Sequence, residues 1–325
     1  MKSLKVSETK TNPSVLVVGE TLVDVIHRAD GSIDEKPGGS CANVAISLGR
    51  LERSPRLLTN LGDDKHGREA RAWLEESGVV VRAQKVSRTS SATAYLDSQG
   101  AASYEFSVEW KLIIESADEV DVLHLGSIAA IQEPGATAVS NLVDHYRGRT
   151  LVTYDPNIRP SLVDDADAVR QRILSFIERS DVVKASDDDI AWLHPGEDIE
   201  TAARRWATSG PALVVVTLGA AGSLAITQNT LTYINAVPVE VADTVGAGDT
   251  FMGALIDGLM GEGALGSKAR PTVESLSEAQ ISSLLQKCAL SAAVTVSRPG
   301  ADPPTREELE SGLLGGTAPP SFAGQ

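Results

Sequence analysis

The segment DTVGAGDTF at residues 243–251 combines residue types that can handle a phosphoryl group. Glycines let the backbone approach a ligand, and the free amides at a helix start bind anions together with the helix dipole. In Gly246-Ala247-Gly248 such a turn precedes an apolar helical pattern, and Asp249 adds a carboxylate beside it. Amides that stabilise a moving phosphoryl group, next to a carboxylate that takes a hydroxyl proton, suit phosphoryl transfer. The alternative is a glycine-rich turn in which Asp249 is only a helix N-terminal charge.

A second glycine turn, in GGSCANVA at residues 38–45, also leads into a predicted helix. The side-chain amide of Asn43, in the first helical turn, can both donate and accept hydrogen bonds, which suits a sugar hydroxyl. In the alternative, Ser40 caps the helix and Asn43 bonds to nearby backbone. Taken alone, this segment favours the alternative.

Together, the two segments resemble the two signatures of the ribokinase-like sugar kinases, the phosphofructokinase-B family. The resemblance extends from about Val15 to Arg298 and includes the lesser segment DPNIR at 155–159. Glu20 and Asp24, which follow the first predicted strand, make the chain most similar to fructokinases and the related ketodeoxygluconate kinases.

The resemblance implies a role for each matching residue. Asp249 would be the base that deprotonates the sugar hydroxyl, and the 246–248 turn would be the anion hole, contributed by Gly246, Ala247 and Gly248. The implied sugar-binding residues are Asp24, Gly39, Asn43 and Arg159, and the implied nucleotide-binding residues are Lys184, Thr217, Gly219 and Gly222. The alternatives are a turn cap for Asp24 and a surface ion pair for Arg159, for example with Asp155.

The implied cofactors are ATP and Mg²⁺, and K⁺ is also permitted. Asp189 stands where the family often has the Glu of an Asn-x-x-Glu segment, so it is a candidate to hold Mg²⁺ through water. Its alternative role is an acidic helix start. In relatives, carbonyls at the positions of Asp243 and Val245 hold K⁺ beside a loop near Arg298–Ala301.

The elements that must position these residues alternate between strand and helix patterns. Buried apolar runs such as Ser14–Gly19 are typical of parallel strands, and the helical segments between them predict an α/β fold. We expect a mainly parallel central sheet with helices on both faces. Leu22–Ile33 and Thr93–Val108 do not fit this rhythm, so we expect them to form a small separate β-sheet.

The domain prediction follows from these elements. We expect one α/β domain over residues 13–313, with lid strands inserted at about 22–36 and 90–110 and flexible tails at 1–12 and 315–325. By resemblance, the lid closes over the sugar and pairs two subunits into a homodimer. Tyr104 and Phe106 are candidates to cover the apolar face of the sugar, with packing inside the lid as the equal alternative.

Composition excludes several other partners. Lys and Arg total 29 against 44 Asp and Glu, and the net charge of −15 argues against nucleic acid and against an anionic membrane surface. No apolar run approaches the ~20 residues of a membrane helix, and Met1 to Ser14 has no apolar signal region. Only two cysteines are present, which fits a reducing, cytoplasmic location.

These observations predict ATP-dependent phosphorylation of a primary hydroxyl of a small sugar, with fructose preferred. Between Thr89 and Trp110 the lid has no Arg or Lys to pair with a substrate carboxylate, which favours a neutral sugar. A 2-keto-3-deoxygluconate kinase is the next alternative, followed by a ribokinase or nucleoside kinase. A non-catalytic, sugar-responsive binding protein is the alternative of a different class.

Overall fold

The fold was obtained as a computed structural model, which describes residues 13–28, 30–96, 102–114 and 118–312. The predicted tails at 1–12 and 315–325 lie outside the described residues. The strands are β1 (Val15–Val18), β2 (Leu22–His27), β3 (Ile33–Gly38), β4 (Arg56–Leu61), β5 (Val80–Lys85), β6 (Ser90–Leu96), β7 (Ala102–Ser107), β8 (Val122–Gly126), β9 (Leu151–Asp155), β10 (Val182–Ser186), β11 (Leu213–Thr217), β12 (Ser223–Ile226) and β13 (Leu231–Ile234).

The helices alternate with these strands along most of the chain. They are α1 (Ser40–Arg50), α2 (Lys65–Glu76), α3 (Ser127–Ile131), α4 (Gly135–Tyr146), α5 (Ala166–Arg179), α6 (Asp187–Leu193), α7 (Ile199–Ser209), α8 (Ala247–Gly261), α9 (Ala269–Glu274), α10 (Glu278–Val296) and α11 (Arg306–Glu310). Among the described residues, none of these helices combines the length and the apolar character that a membrane crossing requires.

The large sheet has the strand order β13-β12-β11-β10-β9-β8-β1-β4-β5. Strands β11 through β5 in that order run parallel, and only β12 and β13 pair antiparallel. One face packs against α1, α8 and α10, and the other packs against α4, α5 and α7. The predicted fold class, a mainly parallel sheet with helices on both faces, is confirmed.

Helix α8 is apolar on most of its circumference because it lies in the interior. Met252, Leu255 and Leu259 are fully buried, and the helix packs between α1 and α10. Burying each such side chain contributes roughly 1.5–3 kcal/mol. This packing fixes the position of the first turn of α8, where Asp249 lies.

A second sheet, with the order β3-β2-β6-β7, forms the lid. Within the predicted lid range of about 22–36, β2 ends at His27 and the chain turns back as β3. The Asp30 carboxylate stabilises this turn by accepting hydrogen bonds from the amide and hydroxyl of Ser32. β3 was missed because its sequence, IDEKPG, contains one strand-forming residue and a proline.

Candidate active site

The two glycine segments meet in a cleft of about 740 Å³ between the lid and the carboxyl ends of the central strands. We call it the central cleft. Ligands of open α/β sheets bind at this edge. Of the residues predicted from sequence, those that line the central cleft are Asp24, Gly39, Asn43, Phe106, Arg159, Asp243, Val245, Gly246, Gly248 and Asp249.

Asp249 lies in the first turn of α8, with a side chain that is almost wholly buried. Its Oδ1 accepts a hydrogen bond from Ser40 Oγ (2.7 Å), and its Oδ2 accepts one from Asn43 Nδ2 (2.7 Å). Gly39, not Ser40, is the N-cap residue of α1, and it has no side chain with which to cap that helix. The alternative of local caps at this segment is therefore wrong: both side chains cross to the carboxylate.

The anion turn, residues 246–248, is built by backbone geometry. Gly246 has φ of 76°, a left-handed conformation that favours glycine. The first hydrogen bond of α8 runs from the Thr250 amide to the Gly246 carbonyl (2.8 Å). The amides of Gly248 and Asp249 precede that bond, so they are available to a ligand. The turn thus presents donors beside a carboxylate, as phosphoryl transfer requires.

The lid contributes Asp24, whose neighbours are Ala92 on β6 and Lys36 on β3. Burial raises the pKa of Asp24 to about 6, and the nearby positive charge of Arg159 opposes that rise. Arg159 donates through Nη1 to Asn157 Oδ1 (2.6 Å). The alternative ion pair between Arg159 and Asp155 does not form, because Asp155 pairs with Lys184 (2.9 Å).

Two cations in the β2–β3 part of the lid also line the central cleft, and the sequence analysis did not consider them. Arg28 follows β2 and is paired with Asp34 (2.6 Å), while Lys36 lies on β3. The range Thr89–Trp110, which has no Arg or Lys, is only the other half of the lid. Arg28 and Lys36 therefore weaken the argument for a neutral sugar that rested on the absence of cations, although Asp24, Asp34 and Glu35 lie in the same half.

The sequence analysis gave Glu20 no functional role beyond the family resemblance, yet this residue lines the central cleft. Its Oε1 accepts from the Ser40 amide (2.9 Å), whereas its Oε2 is buried and has no partner among the described residues. Burial raises the pKa of Glu20 to about 7, well above its ordinary 4.5. Its place directly after the central strand β1 was the signal that could have identified it.

The raised pKa of Glu20 predicts a pH-dependent stability that Glu20→Gln removes. The folded state binds this proton more tightly than the unfolded chain, so its stabilisation is present at low pH and is lost as pH rises from about 4.5 to about 7. From pH 5 to pH 8, we expect the free energy of unfolding of Glu20→Gln to rise relative to wild type by about 2 kcal/mol. Urea unfolding at several pH values measures it. Glu76→Gln, at an exposed position of α2, should show the same pH dependence of the free energy of unfolding as wild type. If Glu20→Gln shows that same dependence, Glu20 does not have a raised pKa.

Several predicted residues do not line the central cleft. Thr217 ends β11 at the same sheet edge. Gly219 begins the 3₁₀ turn Gly219–Ala221 that follows, and Gly222 comes directly after that turn. Lys184 is buried, and a Cβ built on Gly248 would lie 2.9 Å from its Nζ, so the ammonium sits directly against the anion turn. Ala247 lies in the anion turn but not on the cleft wall.

Asp189 serves the start of α6. Its Oδ2 accepts from the amide and hydroxyl of Ser186, which forms a capping box, and its Oδ1 accepts from the Ile158 amide (2.7 Å). This is the acidic helix start considered as the alternative role. In the described part of the chain, no group of three His, Cys, Asp or Glu side chains is arranged to hold a metal ion.

Asp243 joins two loops. Its Oδ2 accepts from the Gly300 amide (2.8 Å), and its Oδ1 accepts from the Val245 amide (3.0 Å). A Cβ built on Gly246 would lie 2.6 Å from the Ala301 side chain, so the 243–246 loop lies against the 298–301 loop.

The backbone of Tyr104 pairs with Ala94 in the lid, and its side chain lies outside the described residues. Phe106 lines the central cleft.

Comparison with known proteins gives consistent matches. The pfkB family carbohydrate kinase model matches residues 12–308. A fructokinase from Klebsiella pneumoniae is 33% identical over 264 residues, which are 78% of this chain and 86% of that protein. A fructokinase double mutant from Vibrio cholerae O395, in a form with fructose, ADP and potassium ion bound, is 26% identical with a TM-score of 0.78, covering 93% of this chain and 98% of that one. A Xylella fastidiosa fructokinase with bound ATP is 22% identical and shares the fold, with a TM-score of 0.84 and coverages of 94% and 99%.

Proposed function

Because the chain belongs to the pfkB family of carbohydrate kinases, we propose that it transfers the γ-phosphoryl group of ATP to a primary hydroxyl of fructose. The observation that carries this proposal is the buried Asp249 carboxylate beside the free amides of the anion turn, on the wall of the central cleft. The fructokinase relatives support fructose as the acceptor.

In the proposed mechanism, the sugar lies in the central cleft with its acceptor hydroxyl against Asp249. Ser40 and Asn43 fix the carboxylate, which takes the hydroxyl proton as the oxygen attacks phosphorus in line. The bond between the γ-phosphorus and the β-phosphate oxygen breaks, and ADP leaves. The amides of Gly248 and Asp249 stabilise the negative charge on the transferred group. Asp24, Gly39, Asn43 and Arg159 hold the sugar hydroxyls, and the lid excludes water.

The nucleotide in this proposal extends from the anion turn toward β11. Thr217, Gly219 and Gly222 lie at that end of the sheet and would line the nucleotide site. Lys184 would act through its charge, because its ammonium is buried beneath Gly248. The Xylella fastidiosa fructokinase with bound ATP and the Vibrio cholerae fructokinase with bound ADP support a nucleotide substrate.

Metal ions enter the proposal in two ways. Mg²⁺ would neutralise charge on the nucleotide phosphates, and Asp189 would reach it only through water, since both of its oxygens already accept hydrogen bonds. K⁺ would be held by carbonyls at Asp243 and Val245, between the two loops that Asp243 joins, and it would add positive charge beside the anion turn. The potassium in the Vibrio cholerae fructokinase supports this part.

The proposal includes a cytoplasmic homodimer that pairs through the lid. Ile33 on β3 is 53% exposed and Tyr95 on β6 is 42% exposed, so the lid offers apolar side chains to a second subunit. Both residues lie opposite His27 on β2, so they form one row across the lid that a second subunit would cover.

A coupled ADP-release assay with fructose, 2-keto-3-deoxygluconate, ribose and adenosine tests the function. We expect the highest kcat/KM with fructose, by at least about tenfold. The cations Lys36 and Arg159 on the cleft wall make 2-keto-3-deoxygluconate the second candidate, because its carboxylate would pair with them. If turnover is highest with 2-keto-3-deoxygluconate, that acid takes the place of fructose as the proposed substrate. If none of the four compounds is turned over, the result favours a binding protein without catalysis.

A further inference from the structure

Ser40 is used differently from the residues that face the substrate. Its Oγ donates its single proton to Asp249 Oδ1 (2.7 Å) and accepts a hydrogen bond from Asn157 Nδ2 (2.7 Å). Its amide donates to Glu20 Oε1 (2.9 Å), and the residue is 6% exposed. A hydroxyl has one proton to donate, so Ser40 has none left for a sugar.

Ser40 therefore joins three separate segments at the carboxylate. Glu20 follows β1, Asn157 follows β9, and Asp249 begins α8. Asn157 has a left-handed φ of 37° and receives hydrogen bonds from Arg159 Nη1 at both its backbone carbonyl and its Oδ1. The Asn157 amide reaches Asp249 itself only at 3.4 Å. The shorter hydrogen bonds, of 2.7 Å each, connect this loop to the carboxylate through the hydroxyl of Ser40.

We propose that Ser40 is a positioning residue that holds the Asp249 carboxylate in the orientation needed to take the sugar proton. The inference rests on the proposed role of Asp249 as the base. With Asn43 fixing Oδ2 and Ser40 fixing Oδ1, rotation of the carboxylate is blocked from both sides. A hydrogen bond to a charged group is among the stronger ones, and geometry within about 0.5 Å decides whether such a base works.

Ser40→Ala tests this role through kcat and KM measured separately. We expect kcat to fall by about 10- to 100-fold, as for loss of one hydrogen bond to a charged group. KM for fructose should change less than about threefold, because the Ser40 hydroxyl has no proton left to donate to the sugar. Ser40→Thr keeps the hydroxyl and should retain most of the rate. The matched control is Ser47→Ala, also buried on α1, whose hydroxyl lies 3.5 Å from the Thr250 carbonyl and does not contact Asp249; it should keep wild-type kcat.

A double-mutant cycle with Asp249→Asn separates positioning from a general structural effect. If Ser40 acts only through the carboxylate, Ser40→Ala lowers the residual rate of the Asp249→Asn enzyme less than about twofold. A full 10- to 100-fold loss in that background, or a normal kcat in Ser40→Ala alone, would overturn the inference. Near-normal activity of Asp249→Asn would instead overturn the proposed base. If Ser40→Ala fails to fold, Ser40→Cys takes its place, because cysteine has a similar size and is only a weak hydrogen-bond donor. Its kcat is then compared in the wild-type and Asp249→Asn backgrounds.

Discussion

Asp249→Asn is expected to lower kcat by about a thousandfold while the protein keeps its fold and its affinity for the sugar. A positioned general base contributes about 10²–10⁴ to the rate, and an amide cannot take the hydroxyl proton. The anion turn and the sugar-binding side chains are unchanged by this substitution, so binding should remain within about threefold of wild type. Steady-state kinetics and calorimetric titration with fructose measure the two quantities.

The hydrogen bonds around Asp249 explain why asparagine fits. Its side-chain oxygen can still accept from Asn43 Nδ2, and its amide can donate to Ser40 Oγ, which has a second lone pair beside the one used by Asn157. The Ser40 hydroxyl proton then loses its acceptor, so the free energy of unfolding should fall by about 1–3 kcal/mol while the fold is kept. Because the variant is still folded at assay temperature, the thousandfold loss of rate reports the loss of the base.

The control for this variant is Asp167→Asn, which makes the same change in the first turn of α5. The Asp167 side chain is 95% exposed, and its ion pair with Arg170 is a surface pair. Such pairs contribute about 0–1 kcal/mol, so both rate and stability should match wild type. If Asp249→Asn retained a kcat within tenfold of wild type, another group would have to accept the proton.

The sequence predicted the framework because its signals are local. Buried apolar runs and helical spacing located most strands and helices, and the Gly-Ala-Gly turn identified the start of α8. β5 was missed because it is an edge strand, Val80–Lys85, in which apolar and polar residues mix without a clear run. β3 was missed for a related reason: its pairing with β2, and not its own composition, makes it a strand.

The contacts that organise the site were beyond local patterns. Ser40 and Asp249 are 209 positions apart, and nothing in either segment indicates that the hydroxyl turns from its own helix to the carboxylate. The serine instead matched a helix cap, the commoner use of that residue at a helix start. The position of Glu20 after β1 was a local signal, but its raised pKa was not, because that pKa results from burial in the folded protein.

Lys184→Met is expected to be the most destabilising single change considered for this protein. The ammonium of Lys184 and the carboxylate of Asp155 lie 2.9 Å apart with side-chain exposures of 4% and 0%. Removing one partner of a buried pair leaves an uncompensated charge, which costs about 3–5 kcal/mol. Asp155 has no substitute partner, since its Oδ1 already lacks one among the described residues. Urea unfolding at pH 8 measures the loss.

The pH dependence of this loss follows from Asp155. Burial raises its pKa to about 6, and the positive charge of Lys184 opposes the rise. Because the folded-state pKa lies above the ordinary value of 3.8, protonation stabilises the folded protein at low pH, and this contribution is lost as pH rises through about 6. Without Lys184 the ionised form becomes costlier still. The destabilisation of Lys184→Met should therefore be larger at pH 8 than at pH 5.

Two further variants separate the buried pair from charge in general. Lys85 and Asp63 form a pair at 3.2 Å with exposures of 75% and 74%, so Lys85→Met should cost less than about 1 kcal/mol. Replacing both buried partners, as Asp155→Val with Lys184→Met, should recover at least half of the lost stability, because no charge then remains uncompensated. A Lys184→Met protein as stable as wild type, or a double variant less stable than the single one, would show that Asp155 has another source of compensation at the base of the anion turn.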